Sequence, residues 1–159
     1  MITVHSRLRV HSYAHAATWE WIAEAATVIA RGSRHVPLVG NGGIDGRDDV
    51  VRMLASCGCD AVMIGRAALA DPWIFAQALG ADTPDGAQAA EFAIRYADRL
   101  VAEYGPATAF ARLKQLTRWY RAGDLFAGDD QQRQRLLRVS TLDELRAWYV
   151  VRACARLTM

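Results

Sequence analysis

VGNGGI at residues 39–44 and DAVMIGRAALADPWIF at residues 60–75 decide how this chain folds. In each, a short apolar run stops at a glycine. Val36–Val39 and residues 60–64 read as strands. They are apolar throughout rather than alternating, the pattern of a parallel sheet covered on both faces. Between them, residues 45–55 read as a helix, with Asp48 and Asp49 near its positive N-terminal end, Val50, Val51 and Leu54 apolar, and Gly58 as its stop.

Outward from this stretch the same unit recurs. Ile2–Val4 is an apolar run ending at His5, followed by a polar loop to about His15. Residues 16–30 carry Trp19, Ile22, Ala23, Ala26 and Ile29 at helical spacing, with Thr18 as the expected N-cap and Gly32 at the end. Downstream, Ala67 and Ala68 open a short turn, Asp71, Pro72 and Trp73 follow, and a helix is expected near residues 74–79. Strand, loop and helix in three successive rounds describe an α/β fold whose helices cross over between parallel strands.

From residue 81 the pattern changes. ADTPDGA at residues 81–87 reads as a linker. Residues 89–104 place Phe92, Tyr96, Leu100 and Tyr104 on one helical stripe that ends at Gly105 and Pro106. Residues 108–122 align Phe110, Leu113, Leu116 and Tyr120, and residues 129–139 form a polar, basic helix. Thr141 caps a last helix, with Glu144 three residues on as a capping box. The expected organisation is an α/β part at residues 1–80, the linker at 81–87, and an all-α domain at 88–159.

A glycine-rich turn after a parallel strand lets backbone N–H groups approach a phosphate with no Cβ in the way, and the next helix adds the positive end of its dipole. GNGG has neither the GxGxxG spacing of a dinucleotide fold nor that of a P-loop, and an ordinary tight turn is the competing reading. At Gly65 and Arg66 another strand ends in glycine, now followed by a guanidinium whose fork suits phosphate. Two consecutive loops of this kind match the shared phosphate site after the last two strands of a (β/α)8 barrel. A surface salt bridge is the alternative for Arg66. His5 is open between a ligand and a hydrogen-bonded structural residue. Trp19, Trp21 and Trp73 read as packing.

The net charge of +2 is uneven: residues 1–82 hold 7 basic against 8 acidic residues, and residues 83–159 hold 12 against 9. All the basic residues but Lys114 are arginine, which codon preference explains as readily as an anionic partner does. Arg112, Lys114, Arg118 and Arg121 form a basic run with Trp119 and Tyr120 among them. On a helix, positions 114, 118 and 121 share a face largely opposite Leu113, Leu116 and Tyr120, and Arg133, Arg135 and Arg138 extend it. Such a face can follow an RNA backbone and stack bases, or it is a solvated helix face. Cys57, Cys59 and Cys154 suit neither a disulfide framework nor a zinc site; they read as buried thiols, and no metal is expected. No apolar run approaches the ~20 residues of a membrane helix, and the N-terminus lacks the apolar core of a signal peptide. The expectation is a soluble cytoplasmic protein.

VHSR at residues 4–7, GNGGI at 40–44 and CDAVMIGRAAL…PWIF at 59–75 together resemble the last three strand-end motifs of tRNA-dihydrouridine synthases. The resemblance is close over residues 1–79; ARLKQLTRWYRAG at 111–123 is similar, more loosely, to the family's C-terminal tRNA-binding domain. It implies a partial FMN-binding (β/α)8 TIM barrel, about strands 6–8, followed by an all-α helical domain. The implied enzyme reduces tRNA uridine to dihydrouridine with FMN recharged by NADPH. His5 is then the flavin contact, with Arg7 completing its motif. Asn41, Gly42 and Gly43 bind the ribityl-phosphate, and Gly65 with Arg66 binds the phosphate. Gly43 stands where many relatives carry an acidic residue, so only a backbone contact remains there. Arg112, Lys114, Arg118 and Arg121 face the tRNA.

The resemblance further implies that strands 1–5, the lysine beside the flavin and the catalytic cysteine lie upstream of this chain, and none of the three cysteines present takes that role. The chain is then inactive alone, and a complementary polypeptide or self-association covers the open half barrel. Two alternatives stand beside this reading: another FMN barrel oxidoreductase, such as a relative of dihydroorotate dehydrogenase, and a non-catalytic RNA-binding remnant.

Overall fold

A computed structural model describes residues 1–8, 10 and 15–155. They divide into two compact units, the first Met1–Ala68 with Ile74–Ala81, the second Leu69–Trp73 with the chain from Asp82 onward.

The first unit contains β1 (Ile2–His5), α1 (Glu20–Ala30), β2 (Leu38–Asn41), α2 (Arg47–Cys57), β3 (Ala61–Met63), the start of a one-turn helix α3 (Ala67–Ala70), and α4 (Ile74–Ala78). The strands form one parallel sheet in the order β1-β2-β3, with His5 opposite Asn41 and Asn41 opposite Met63. Side chains alternate between faces with period two. Val4, Leu38 and Val62 share one face and pack with Ile22, Val50, Met53, Cys57, Cys59 and Ile74 into a core. Gly40 lies on that face because a Cβ there would stand 2.7 Å from Met53 Sδ and 3.3 Å from Ile22 Cδ1. The other face carries Thr3, His5, Ala61 and Met63 and is exposed, Met63 at 53%. Among the described residues the helices therefore cover one face of the sheet, not the two that the apolar runs suggest.

Helix α1 starts at Glu20 rather than residue 16, and its N-cap is Trp19 rather than Thr18, with no side-chain cap. The reason lies outside the helix: the Thr18 N–H donates to the Ser6 carbonyl at 2.8 Å, which ties this segment to the end of β1. Strand β2 lies two residues later than expected. The Leu38 N–H donates to the Asp60 carboxylate at 2.8 Å, the Asp60 N–H returns to the Leu38 carbonyl at 2.8 Å, and the Asn41 carbonyl accepts from Ser6 N–H at 2.8 Å, so pairing runs on into the glycine motif. Gly58 ends α2 in the left-handed region, φ +63°, as its position suggested.

The second unit is helical: α5 (Gly86–Tyr104), α6 (Pro106–Trp119), a single 3-10 turn (Ala122–Asp124), α7 (Asp130–Arg138) and α8 (Leu142–Cys154). Helix α5 starts inside the expected linker, because Asp85 accepts from Gln88 N–H at 2.8 Å while the Gln88 side chain accepts from Asp85 N–H at 2.9 Å. Its buried stripe is Ala89, Ala90, Ala93 and Ala97, not the expected aromatic one. Phe92 and Tyr96 are only partly buried, and Tyr104 is 59% exposed. Small side chains let neighbouring helices approach closely. The larger residues arrive from elsewhere: Leu113, Leu116, Tyr120, Phe126, Leu136, Leu145 and Tyr149 fill this core. Trp73 packs beside Phe92, centroids 5.1 Å apart, as the packing reading held.

Tyr120 and Tyr149 bring hydroxyls inside and both are satisfied: Tyr120 donates to the Ala89 carbonyl at 2.8 Å, and Tyr149 shares a 2.9 Å bond with Thr117. Thr141 accepts from Glu144 N–H at 3.2 Å, while the Glu144 carboxylate reaches Ser140 N–H at 3.1 Å, one residue before the cap. No helix of the described residues is long and apolar enough to cross a membrane.

Candidate functional site

The carboxyl ends of the three parallel strands open into one cavity of about 300 Å³, lined among others by His5, Arg7, Asn41, Gly42, Gly43, Gly65 and Arg66. The flavin-site residues of the sequence reading thus meet in a single place, although they lie on three separate strand ends. Ile44, Asp45, Met63 and Ala67 complete the lining.

Asn41 is the last residue of β2, and its side-chain amide donates to the Met63 carbonyl at 2.9 Å. It therefore binds the end of β2 to the end of β3. Gly42 and Gly43 follow at φ +114° and +70°, where side chains are strained. A Cβ on Gly42 would stand 2.5 Å from Ser6 Oγ, and one on Gly43 would stand 2.9 Å from Ala17 Cβ. Gly65 differs: a Cβ there would meet nothing within 4 Å, so the space beside it is open. Arg66 follows directly. The His5 ring Nδ1 lies 3.2 Å from both the N–H and the carbonyl of Arg7, and the Arg7 Nε donates to the His15 carbonyl at 3.1 Å.

At the start of α2, Asp49 accepts from Asp45 N–H at 2.9 Å and from Gly46 N–H at 3.1 Å, the two amides just before the helix. Asp49 is also paired with Arg52. Partial burial opposes ionisation of Asp49, but the two amides and the guanidinium outweigh it and hold its carboxyl below the usual carboxylate range. Glycine backbone, Arg7 and Arg66 line the cavity, with the exposed Asp45 as the opposing charge.

Two residues behind the turn were not read as functional. Ser6 is fully buried, and its hydroxyl donates to the Asn41 carbonyl at 2.9 Å. Trp19, read as packing, donates its indole N–H to the Gly42 carbonyl at 2.9 Å. No local pattern marks either contact, since the partners lie 35 and 23 positions away.

Cys57 and Cys59 are buried in the core behind the sheet, and burial first of all pushes the Cys59 thiol up. Cys154 is exposed, contrary to the buried reading. Among the described residues no group of three His, Cys, Asp or Glu side chains is placed to hold a metal.

In the second unit, Arg112, Lys114 and Arg118 lie on α6, but Arg121 lies beyond its end, where its N–H donates to the Ala70 carbonyl at 2.8 Å. Arg121 therefore does not continue the helix face. Lys114 sits over the Phe110 ring at 4.6 Å, and Arg112 donates to Gln115 at 3.2 Å. Tyr120 is buried and unable to stack a base, whereas Trp119 is 54% exposed. Arg133 does not extend the basic face: it donates to the Arg118 carbonyl at 3.0 Å and lies 4.5 Å over Phe126, so it closes the C-terminus of α6. Arg135 and Arg138 line an open depression on α7 with Asp130, Gln131 and Gln134.

A family model for dihydrouridine synthases matches residues 1–156. The chain is 33% identical over 151 residues to a probable tRNA-dihydrouridine synthase of Mycobacterium leprae (strain TN), covering 91% of this chain and 38% of that protein. Over 73 residues it is 44% identical to a tRNA-dihydrouridine(16) synthase of Ralstonia nicotianae, covering 46% of this chain and 21% of that protein. The chain thus spans less than two-fifths of these relatives' length. With the strand-end cavity and a match over nearly its whole length, the chain belongs to the dihydrouridine synthase family.

Proposed function

We propose that this chain carries the flavin-phosphate end and the RNA-binding helices of a tRNA-dihydrouridine synthase. The complete protein would reduce uridine in tRNA to 5,6-dihydrouridine with FMN and NADPH, in the cytoplasm. The sheet is assigned as about strands 6–8 of a (β/α)8 barrel, with residues 1–80 as barrel, 81–87 as linker and 88–159 as the tRNA-binding part. The exposed sheet face bearing His5 and Met63 supports this assignment, because it is where the interior of a barrel would lie. A complementary polypeptide or a second copy would cover it.

The observation that carries the reading is the convergence of Asn41, Gly42, Gly43, Gly65 and Arg66 on one cavity at the strands' carboxyl ends. A phosphate monoester fits that donor set. Two arginines face one aspartate, glycine backbone stands at three positions, and the space beside Gly65 is open. The cavity lies at the lower end of ligand pockets, which run from ~300 to ~1,000 Å³, and suits the phosphate end of a ligand rather than a whole flavin. When bound, the flavin would supply the hydride that the uracil double bond takes up, the second hydrogen arriving as a proton from a donor outside this chain. This chain's residues bind and orient: Arg66 and the glycine turn hold the phosphate, and His5 approaches the flavin from β1. Arg112, Lys114 and Arg118 attract the tRNA backbone, and Trp119 offers a stacking surface.

Equilibrium dialysis of the chain against FMN and riboflavin tests the phosphate site. FMN binds more tightly than riboflavin, and Arg66→Met removes most of that difference. Equal binding of the two flavins by the wild type refutes the assignment.

A further inference from the structure

We infer that Trp19 is a positioning residue of the phosphate site: its indole N–H holds the Gly42 carbonyl away from the cavity and thereby aims the Gly43 N–H at the anion. The inference rests on the flavin-phosphate reading and deepens it.

The bond is 2.9 Å from Trp19 Nε1 to the Gly42 oxygen. Gly42 and Gly43 line the cavity and Trp19 does not, so the carbonyl is drawn to the rear of the turn. No cis peptide bond occurs among the described residues. In a trans peptide the C=O and the following N–H point in opposite directions, and the Gly43 N–H therefore points away from the indole, toward the front of the turn. The peptide between Gly42 and Gly43 joins the two residues with the greatest backbone freedom in the loop. Without a tether it can turn over and present its oxygen to a phosphate, which repels it.

The tether itself is braced. Arg52 lies 5.5 Å over the Trp19 ring and is paired with Asp49, and the Trp19 carbonyl accepts the first amides of α1 from Ile22 at 3.0 Å and Ala23 at 3.2 Å. Ala17 fills the space behind Gly43. Ring and backbone of Trp19 are thus both fixed, and its N–H is aimed rather than free to rotate.

The test is a titration of the ¹⁵N-labelled full chain with FMN and, separately, with riboflavin, followed by NMR. Two variants are compared with the wild type: Trp19→Phe, and Trp19 replaced by benzothienylalanine, which keeps the bicyclic shape but has sulfur in place of N–H. Both lose FMN affinity about fivefold, the factor that one neutral hydrogen bond carries, with riboflavin affinity unchanged. The Gly43 amide, which shifts with FMN in the wild type, no longer follows it. If Trp19→Phe fails to fold, the benzothienyl protein decides. Wild-type FMN affinity in the folded variants overturns the role of Trp19 and leaves the phosphate site standing. A wild type that does not prefer FMN to riboflavin overturns the phosphate site and this inference with it.

Discussion

Ser6 stands directly behind Gly42, so close that a Cβ on the glycine would lie 2.5 Å from the serine hydroxyl oxygen. Gly42 also sits at φ +114°, and the Ser6 side chain is fully buried, with its hydroxyl committed to the Asn41 carbonyl. Neither partner can give way. Gly42→Ala is expected to destabilise the first unit by about 2–3 kcal/mol, from backbone strain and overpacking together. Ser6→Ala, which loses one hydroxyl bond while the Ser6 amide keeps its own, costs about 1 kcal/mol. Urea unfolding of the two variants reads the difference; equal effects would mean that the loop rearranges around the added methyl.

Asp49 links the first unit to pH. Its folded pKa lies below the ordinary 3.8, so the unfolded state takes up protons first as pH falls. The stability it contributes is complete above about pH 4 and is lost as pH falls through the depressed folded value. Asp49→Asn is expected to cost about 1 kcal/mol at neutral pH, as loss of a charged cap does, and to flatten the decline in Tm below pH 4. Thermal melts of both proteins between acid and neutral pH show whether it does.

Tyr149 does the converse at high pH. Burial above all pushes its phenol up to about 12 from the ordinary 10.0, against the Thr117 hydrogen bond and nearby Arg133. Its neutral form is favoured only in the folded chain, so this contribution is full below pH 10.0 and is lost as pH rises toward about 12. The second unit should lose on the order of 2 kcal/mol across that window. Tyr149→Phe removes part of the slope, and the buried Tyr120, whose pKa is raised as well, keeps the rest. Tyrosinate absorbance recorded with circular dichroism checks that ionisation and unfolding coincide.

Trp119 and Tyr120 are adjacent and opposite in consequence. Trp119 is largely exposed, whereas Tyr120 is fully buried and hydrogen-bonded to Ala89. Trp119→Ala is expected to leave stability within about 0.5 kcal/mol and to weaken tRNA binding by about 1–3 kcal/mol if one base stacks there. Tyr120→Ala costs about 3–5 kcal/mol of stability. Filter binding beside thermal melts separates the two; an unchanged tRNA affinity in Trp119→Ala removes the indole from the RNA surface.

What the sequence alone determined is what neighbours along the chain decide. Glycine at 58 ends α2 and Thr141 caps α8. Each signal acts within about four residues, the reach of a helical turn or a cap. Even there, local signals misled: Thr18 does not cap α1, and Pro84 and Gly86 made residues 81–87 read as linker, while Asp85 and Gln88 between and beyond them form a helix start. Only the tertiary structure decided which side chains serve which ends. Arg133 closes α6 from 15 positions away, Asp49 consumes the amides before α2, alanines rather than aromatics line the inner face of α5, and Trp19 reaches Gly42 across 23 positions. A hydrogen-bonding side chain finds its partner by where the fold brings it, and no periodicity in the chain encodes that direction.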